Sequence, residues 1–172
     1  SWNQGGLIRG SLDDPHLYNG PTVKITNDVG VVNSFTARTG DLNIQSGGSL
    51  RTTSATELRV ATTGDASITL ENDSSMTLDA ANLLVTYKAN LTGELTVNSA
   101  ALMIGKNLIF GANNEFNLTS TVSLNSGAVV TVGNGYSILF NGDDGAVNNL
   151  NLNAGSFIEA NTVLFNEYGN AS

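Results

Sequence analysis

A short apolar-x-apolar triplet returns along the chain at an interval of about 27 residues, in three interleaved phases. The first phase reads Leu42-Asn43-Ile44, Ile68-Thr69-Leu70, Leu95-Thr96-Val97, Val122-Ser123-Leu124 and Leu150-Asn151-Leu152. The second reads Leu50-Arg51-Thr52, Met76-Thr77-Leu78, Leu102-Met103-Ile104, Val130-Thr131-Val132 and Ile158-Glu159-Ala160. The third reads Leu58-Arg59-Val60, Leu83-Leu84-Val85, Leu108-Ile109-Phe110, Ile138-Leu139-Phe140 and Val163-Leu164-Phe165. The phases keep one order, so a period is three short strands joined by three turns. Equivalent strands that pair with one another must run parallel, with alternate side chains turned to a shared axis. One coil cannot bury those inward residues, whereas a stack of coils can. The predicted fold is therefore all-β: a single right-handed, three-sided parallel β-helix of about six coils of ~27 residues. The hand follows the general chirality of parallel connections. An antiparallel sandwich explains strands and turns, but gives no reason for three constant phases.

The turns repeat too. Gln45-Ser46-Gly47, Asn98-Ser99, Asn125-Ser126-Gly127 and Asn153-Ala154-Gly155 follow the first phase, and Asn82 and Asn107 precede the third. Amides recurring at one turn are expected to stack on their copies and hydrogen-bond along the stack. Upstream, Val23-Lys24-Ile25 and Val31-Val32 fall one period before Leu50 and Leu58, which extends the winding into an irregular first coil. Residues 1–20 are read as an irregular cap or subunit-contact arm, and 21–172 as the solenoid domain.

Composition removes several functions. Seven Lys plus Arg against fifteen Asp plus Glu, a net charge of -8, argue against a phosphate-neutralising surface, so no nucleic-acid partner is expected. No apolar run approaches the ~20 residues of a membrane span. With no Cys and one His, there is little from which to build thiol catalysis, a zinc site or a Ser-His-Asp hydrolase. His16 reads as a surface histidine without an evident partner. The chain opens at Ser1 without a basic-then-apolar leader, as in a mature exported product or a trimmed chain.

The middle residue of each triplet is expected to face solvent. In the third phase these are Arg59, Leu84, Ile109, Leu139 and Leu164. Stacking aligns four large aliphatic groups into a strip that calls for a cover. The candidate covers are the N-terminal segment, through Trp2, Leu7 and Ile8, or a neighbouring chain. Solenoid ends also expose unpaired backbone, and stacking copies head-to-tail would satisfy it and yield a fibre.

Sites of chemistry are sparse. Asn141, Asp143 and Asp144 offer oxygen ligands to Ca²⁺, but the Asn-Gly and Asp-Gly spacing suits an ordinary turn better. Lys88, Lys106, Arg51 and Arg59, like the acids Asp79, Glu94 and Glu159, form no column that would assemble a lyase or hydrolase site. Outward Thr69, Thr77, Thr96 and Thr131 are interrupted by Asn43, Ser123, Met103 and Glu159, which spoils an ice-binding face. Asn72, Asn90, Asn117 and Asn170 head glycosylation sequons at the frequency this Asn- and Thr-rich composition produces by chance. No enzyme activity, cofactor or metal is expected.

The run Leu-x-Val/Leu-Asn-Ser/Ala-Gly, with small departures at 95–99, 122–127 and 150–155, resembles bacterial cell-surface β-solenoids. Autotransporter passenger domains and filamentous-haemagglutinin-type adhesins are the nearest type, over about residues 40–166. The resemblance implies export and a structural or adhesive role, and supplies no catalytic residues. The expectation is an extracellular or cell-surface filament or matrix subunit whose partners are copies of itself. The alternatives are an adhesin that binds a surface glycan or receptor, and a polysaccharide lyase, hydrolase or tailspike-type β-helix.

Overall fold

A computed structural model describes residues 16–17, 20, 22–53, 57–112, 115–141 and 144–165. Nineteen strands and no helix are found among them. Face one carries β2 (Thr22–Ile25), β5 (Gly40–Ile44), β8 (Ala66–Leu70), β11 (Thr92–Val97), β14 (Thr119–Leu124) and β17 (Val147–Leu152). Face two carries β3 (Asp28–Val32), β6 (Ser49–Thr52), β9 (Ser75–Leu78), β12 (Ala101–Ile104), β15 (Val129–Val132) and β18 (Phe157–Glu159). Face three carries β1 (His16–Leu17), β4 (Thr36–Ala37), β7 (Leu58–Val60), β10 (Leu83–Val85), β13 (Leu108–Phe110), β16 (Ser137–Phe140) and β19 (Thr162–Phe165). Each strand pairs in parallel with its copies one coil away, giving a three-sided β-solenoid of about five turns between first and sixth rung.

The triplet phases are the register. Leu42 lies against Ile68, Ile68 against Leu95, Leu95 against Val122 and Val122 against Leu150. The second column runs Leu50, Met76, Leu102, Val130, Ile158, and the third Leu58, Leu83, Leu108, Ile138, Val163. Inward members such as Ile44, Ile68, Leu70, Val97 and Leu108 are fully buried and form one continuous core along the axis. Period-2 alternation on every face places apolar atoms in the bore and leaves short polar groups outside.

The first coil corrects the sequence register. Val23 pairs with Leu42 and Val31 with Arg51, not with members one period upstream of Leu50 and Leu58. The cause is shorter turns: two residues separate β2 from β3, whereas four separate β8 from β9 and six separate β10 from β11. A constant interval carried upstream therefore lands one face too far along. The winding also begins earlier than expected, because His16–Leu17 pairs with Thr36–Ala37 inside the segment read as irregular.

Two corner types hold the coils. After face one, the backbone NH groups of Gly48, Ser74, Ala128 and Ser156 donate to the carbonyls of Gln45, Glu71, Asn125 and Asn153, at 2.8–3.0 Å. The third residue of each turn has positive φ, at Gly47, Asp73, Gly127 and Gly155, as type II turns demand. After face three a single left-handed residue makes the bend: Ala61, Thr86 and Gly111, with φ of 53°, 69° and 72°. A β-branched residue resists that conformation. Thr86 is fully buried there and donates its hydroxyl to the Thr119 carbonyl at 2.7 Å.

Candidate functional site

The outer strip on face three is graded along the axis. Leu84 is only 3% exposed, so the outward orientation expected for it does not reach water. Its rung neighbours are Arg59 and Ile109. Ile109 and Leu139 are half-buried, and Leu164 is exposed. Thus Leu84 is covered within the chain, and the strip opens towards the C-terminal end. Trp2, Leu7 and Ile8 lie outside the described residues.

The remaining expected sites separate. Asp143 lies outside the described residues. Asn141 is buried, its NH donating to the Phe110 carbonyl and its own carbonyl accepting from Asn148 Nδ2 at 2.6 Å. Asp144 is exposed, and its carbonyl accepts from Asn117 NH. Among the described residues no three His, Cys, Asp or Glu side chains come together as a metal site, and no helix is long and apolar enough to cross a membrane. Arg51 does find a partner that the column search passed over. Its Nε donates to both carboxylate oxygens of Asp79, at 2.9 and 3.0 Å, one coil further on. Arg59 pairs with Glu57 and lies 4.1 Å from the Tyr87 ring centroid. These ion pairs bridge or brace coils, and nothing in their arrangement aims a reactive group at a cleft.

The amide stacks do form. Asn153 Nδ2 donates to Asn125 Oδ1 at 2.6 Å, Asn125 Nδ2 to Asn98 Oδ1 at 2.5 Å, and Asn98 Nδ2 to Glu71 Oε2 at 3.1 Å. Glu71 occupies the amide position of its coil, and its other oxygen accepts from Asn43 at 3.3 Å. Sequence reading sought amides there and missed the carboxylate. Asn82 and Asn107 instead accept backbone NH groups of the next coil, from Asn107 and Ser137.

These stacks run out at a bare rung. In the last coil Leu152, Phe157 and Val163 are about half exposed and Phe165 is 76% exposed. Leu152, Val163 and Phe165 belong to inward columns, so they present the open cross-section of the core. Phe110, Phe140 and Phe165 stack at centroid distances of 4.4 and 4.8 Å, leaving one ring face bare. The rung from Val147 to Phe165 carries a single charge, Glu159, and no proline or bulge. All seven basic residues of the chain lie at or before Lys106.

The opposite end is guarded. Ile25, Val32, Phe35 and Ala37 are buried in the first coil. Its edge carries Lys24 and Asp28, and β3 is bulged between Asp28 and Val31 around Gly30. Asp28 accepts from Gly30 NH at 2.8 Å and from Ser49 Oγ at 2.6 Å. The Ser49 hydroxyl and then the Gly30 amide hold its carboxyl below the ordinary carboxylate range. Charges and bulges are how edges are kept from pairing. Among the described residues, the last coil is thus exposed and carries one charge between Val147 and Phe165, whereas the first coil is buried inside and carries charges and a bulge at its edge. No family model, no curated protein and no solved structure matches this chain.

Proposed function

We propose that the chain is a non-enzymatic structural module that works outside the cell, joined to copies of itself through its C-terminal rung. The observation that carries this reading is the exposed last coil, where inward-column residues and strand edges are exposed together, with Glu159 the single charge and no proline or bulge over residues 147–165. Head-to-tail joining of copies would extend into a filament or matrix; tail-to-tail joining would close. Association is measured by sedimentation across a concentration series of the full chain. Self-association that is lost in Asn149→Lys, which places a charge on the outer side of β17, is the expected result. A chain that stays monomeric at high concentration overturns the reading.

An adhesive surface module is the second reading, favoured by outward Met103 and Val129 beside Phe157 on face two. Binding to immobilised glycans that fails in Met103→Lys, with self-association unchanged, would favour it over assembly.

A further inference from the structure

We propose that Met103 is a site of reversible oxidation by peroxides, set on the outer side of face two. This stands apart from both readings above, since it needs neither a joint between copies nor a glycan. The chain holds two methionines, and the fold gives them opposite surroundings. Met76 is an inward member of the second column and is 1% exposed. Met103 lies in the next rung between the inward Leu102 and Ile104, so alternation turns it to water and it is 54% exposed. Its position is independent of either end of the solenoid. β12 is paired on both sides, with Met103 beside Thr77 of β9 and Thr131 of β15. The other outward members of that column, Arg51, Thr77, Thr131 and Glu159, are all polar. A thioether exposed in a polar column adds nothing to the core, and what distinguishes it there is the chemistry of its sulfur.

The step needs only a peroxide. A lone pair of the Met103 sulfur attacks one peroxide oxygen, and an S–O bond forms as the O–O bond breaks. With hydrogen peroxide, the departing hydroxide takes the proton of the transferred oxygen and leaves as water. The thioether is oxidised to the sulfoxide and the peroxide is reduced. Folding withholds Met76 from the same reaction, because a peroxide reaches it only when its coil opens. The product suits its place. A sulfoxide oxygen accepts hydrogen bonds, and the Thr77 and Thr131 hydroxyls flank it, each one strand spacing of about 4.8 Å away along the axis. Ala101 and Val129 are exposed beside it, so oxidation sets a polar group among apolar neighbours on the outside of the face and leaves the bore untouched.

Dilute hydrogen peroxide added to the full chain tests this, with the oxidised fraction of each methionine read by mass spectrometry of proteolytic peptides. Met103 is expected to react roughly tenfold or more faster than Met76 in the folded chain, and at a similar rate in urea, where both are open. Equal rates in the folded chain, or slower reaction at Met103, overturn the assignment. The chain oxidised at Met103 alone is expected to keep the circular dichroism of the β-solenoid and to elute earlier from a hydrophobic column. Methionine sulfoxide reductases for both epimers, supplied with a dithiol that is oxidised to its disulfide as the oxygen leaves as water, are expected to restore its mass and elution. Loss of the β signal, or a sulfoxide that the reductases do not reach, overturns reversibility at this site. Thr77→Val combined with Thr131→Val tests the flanking hydroxyls. Oxidation should lower the melting temperature further in that variant than in the native chain, and equal shifts would show that the hydroxyls do not hold the sulfoxide oxygen.

Discussion

The first and last coils are made from the same three-strand unit and meet water in opposite ways. In the first, Ile25, Val32, Phe35 and Ala37 are buried. In the last, Leu152, Val163 and Phe165 occupy inward columns yet stand exposed, although Leu124 and Ile138 one coil earlier are buried. The triplet pattern does not distinguish the two coils. The difference lies in the edge: short turns, a bulge and charges at one end, six uninterrupted neutral residues in β17 at the other. A solenoid core is therefore specified by its columns, and its ends by edge chemistry.

Paired substitutions at the two ends test that contrast. Phe35→Ala should cost about 3–5 kcal/mol, the range for emptying a fully packed aromatic site. Phe165→Ala should cost only about 1 kcal/mol, the scale of one stacked ring contact. Urea unfolding reads both, and equal losses would break the comparison. A smaller effect is expected along the amide stack. Asn125→Ala removes a donor and an acceptor held by Asn98 and Asn153, and should cost about 1–2 kcal/mol, against about 0.5 kcal/mol for the terminal Asn153→Ala. Equal thermal shifts would show that the ladder does not depend on its interior. The smallest effect concerns Asp28. Its carboxyl is held below the usual value when folded, so its contribution is present above the unfolded pKa and disappears as pH falls through the folded one. As pH falls below the ordinary carboxylate value of about 4, the native chain should lose stability more steeply than Asp28→Asn. Parallel melting curves across that range would remove Asp28 from the defence of the first edge.

Much of this was legible in the residues. From Leu42 to Phe165 every triplet lies on the copy assigned to it, because inward apolar groups must superpose for the core to close. The first coil was misplaced because an interval of about 27 residues was carried into turns that had shortened, so that only 19 residues separate Val23 from Leu42. Leu84 was assigned to the outside by alternation, yet it is buried between Arg59 and Ile109 on its face. Alternation fixes the side of the sheet and does not say what lies over it. The Arg51–Asp79 pair is not visible in the columns because Asp79 sits past the end of its strand, where the triplets do not reach. The unequal ends were not foreseen, since nothing in a repeat marks which copy faces water.

The stack from Asn153 through Asn125 and Asn98 to Glu71 points its N–H bonds one way along the axis. Aligned amides polarise one another and sum to a dipole whose positive pole lies where the last hydrogen is donated. Glu71 stands at that pole, as an anion stands at the first turn of an α-helix. The other pole is the side-chain oxygen of Asn153, so this exposed end of the stack carries partial negative charge.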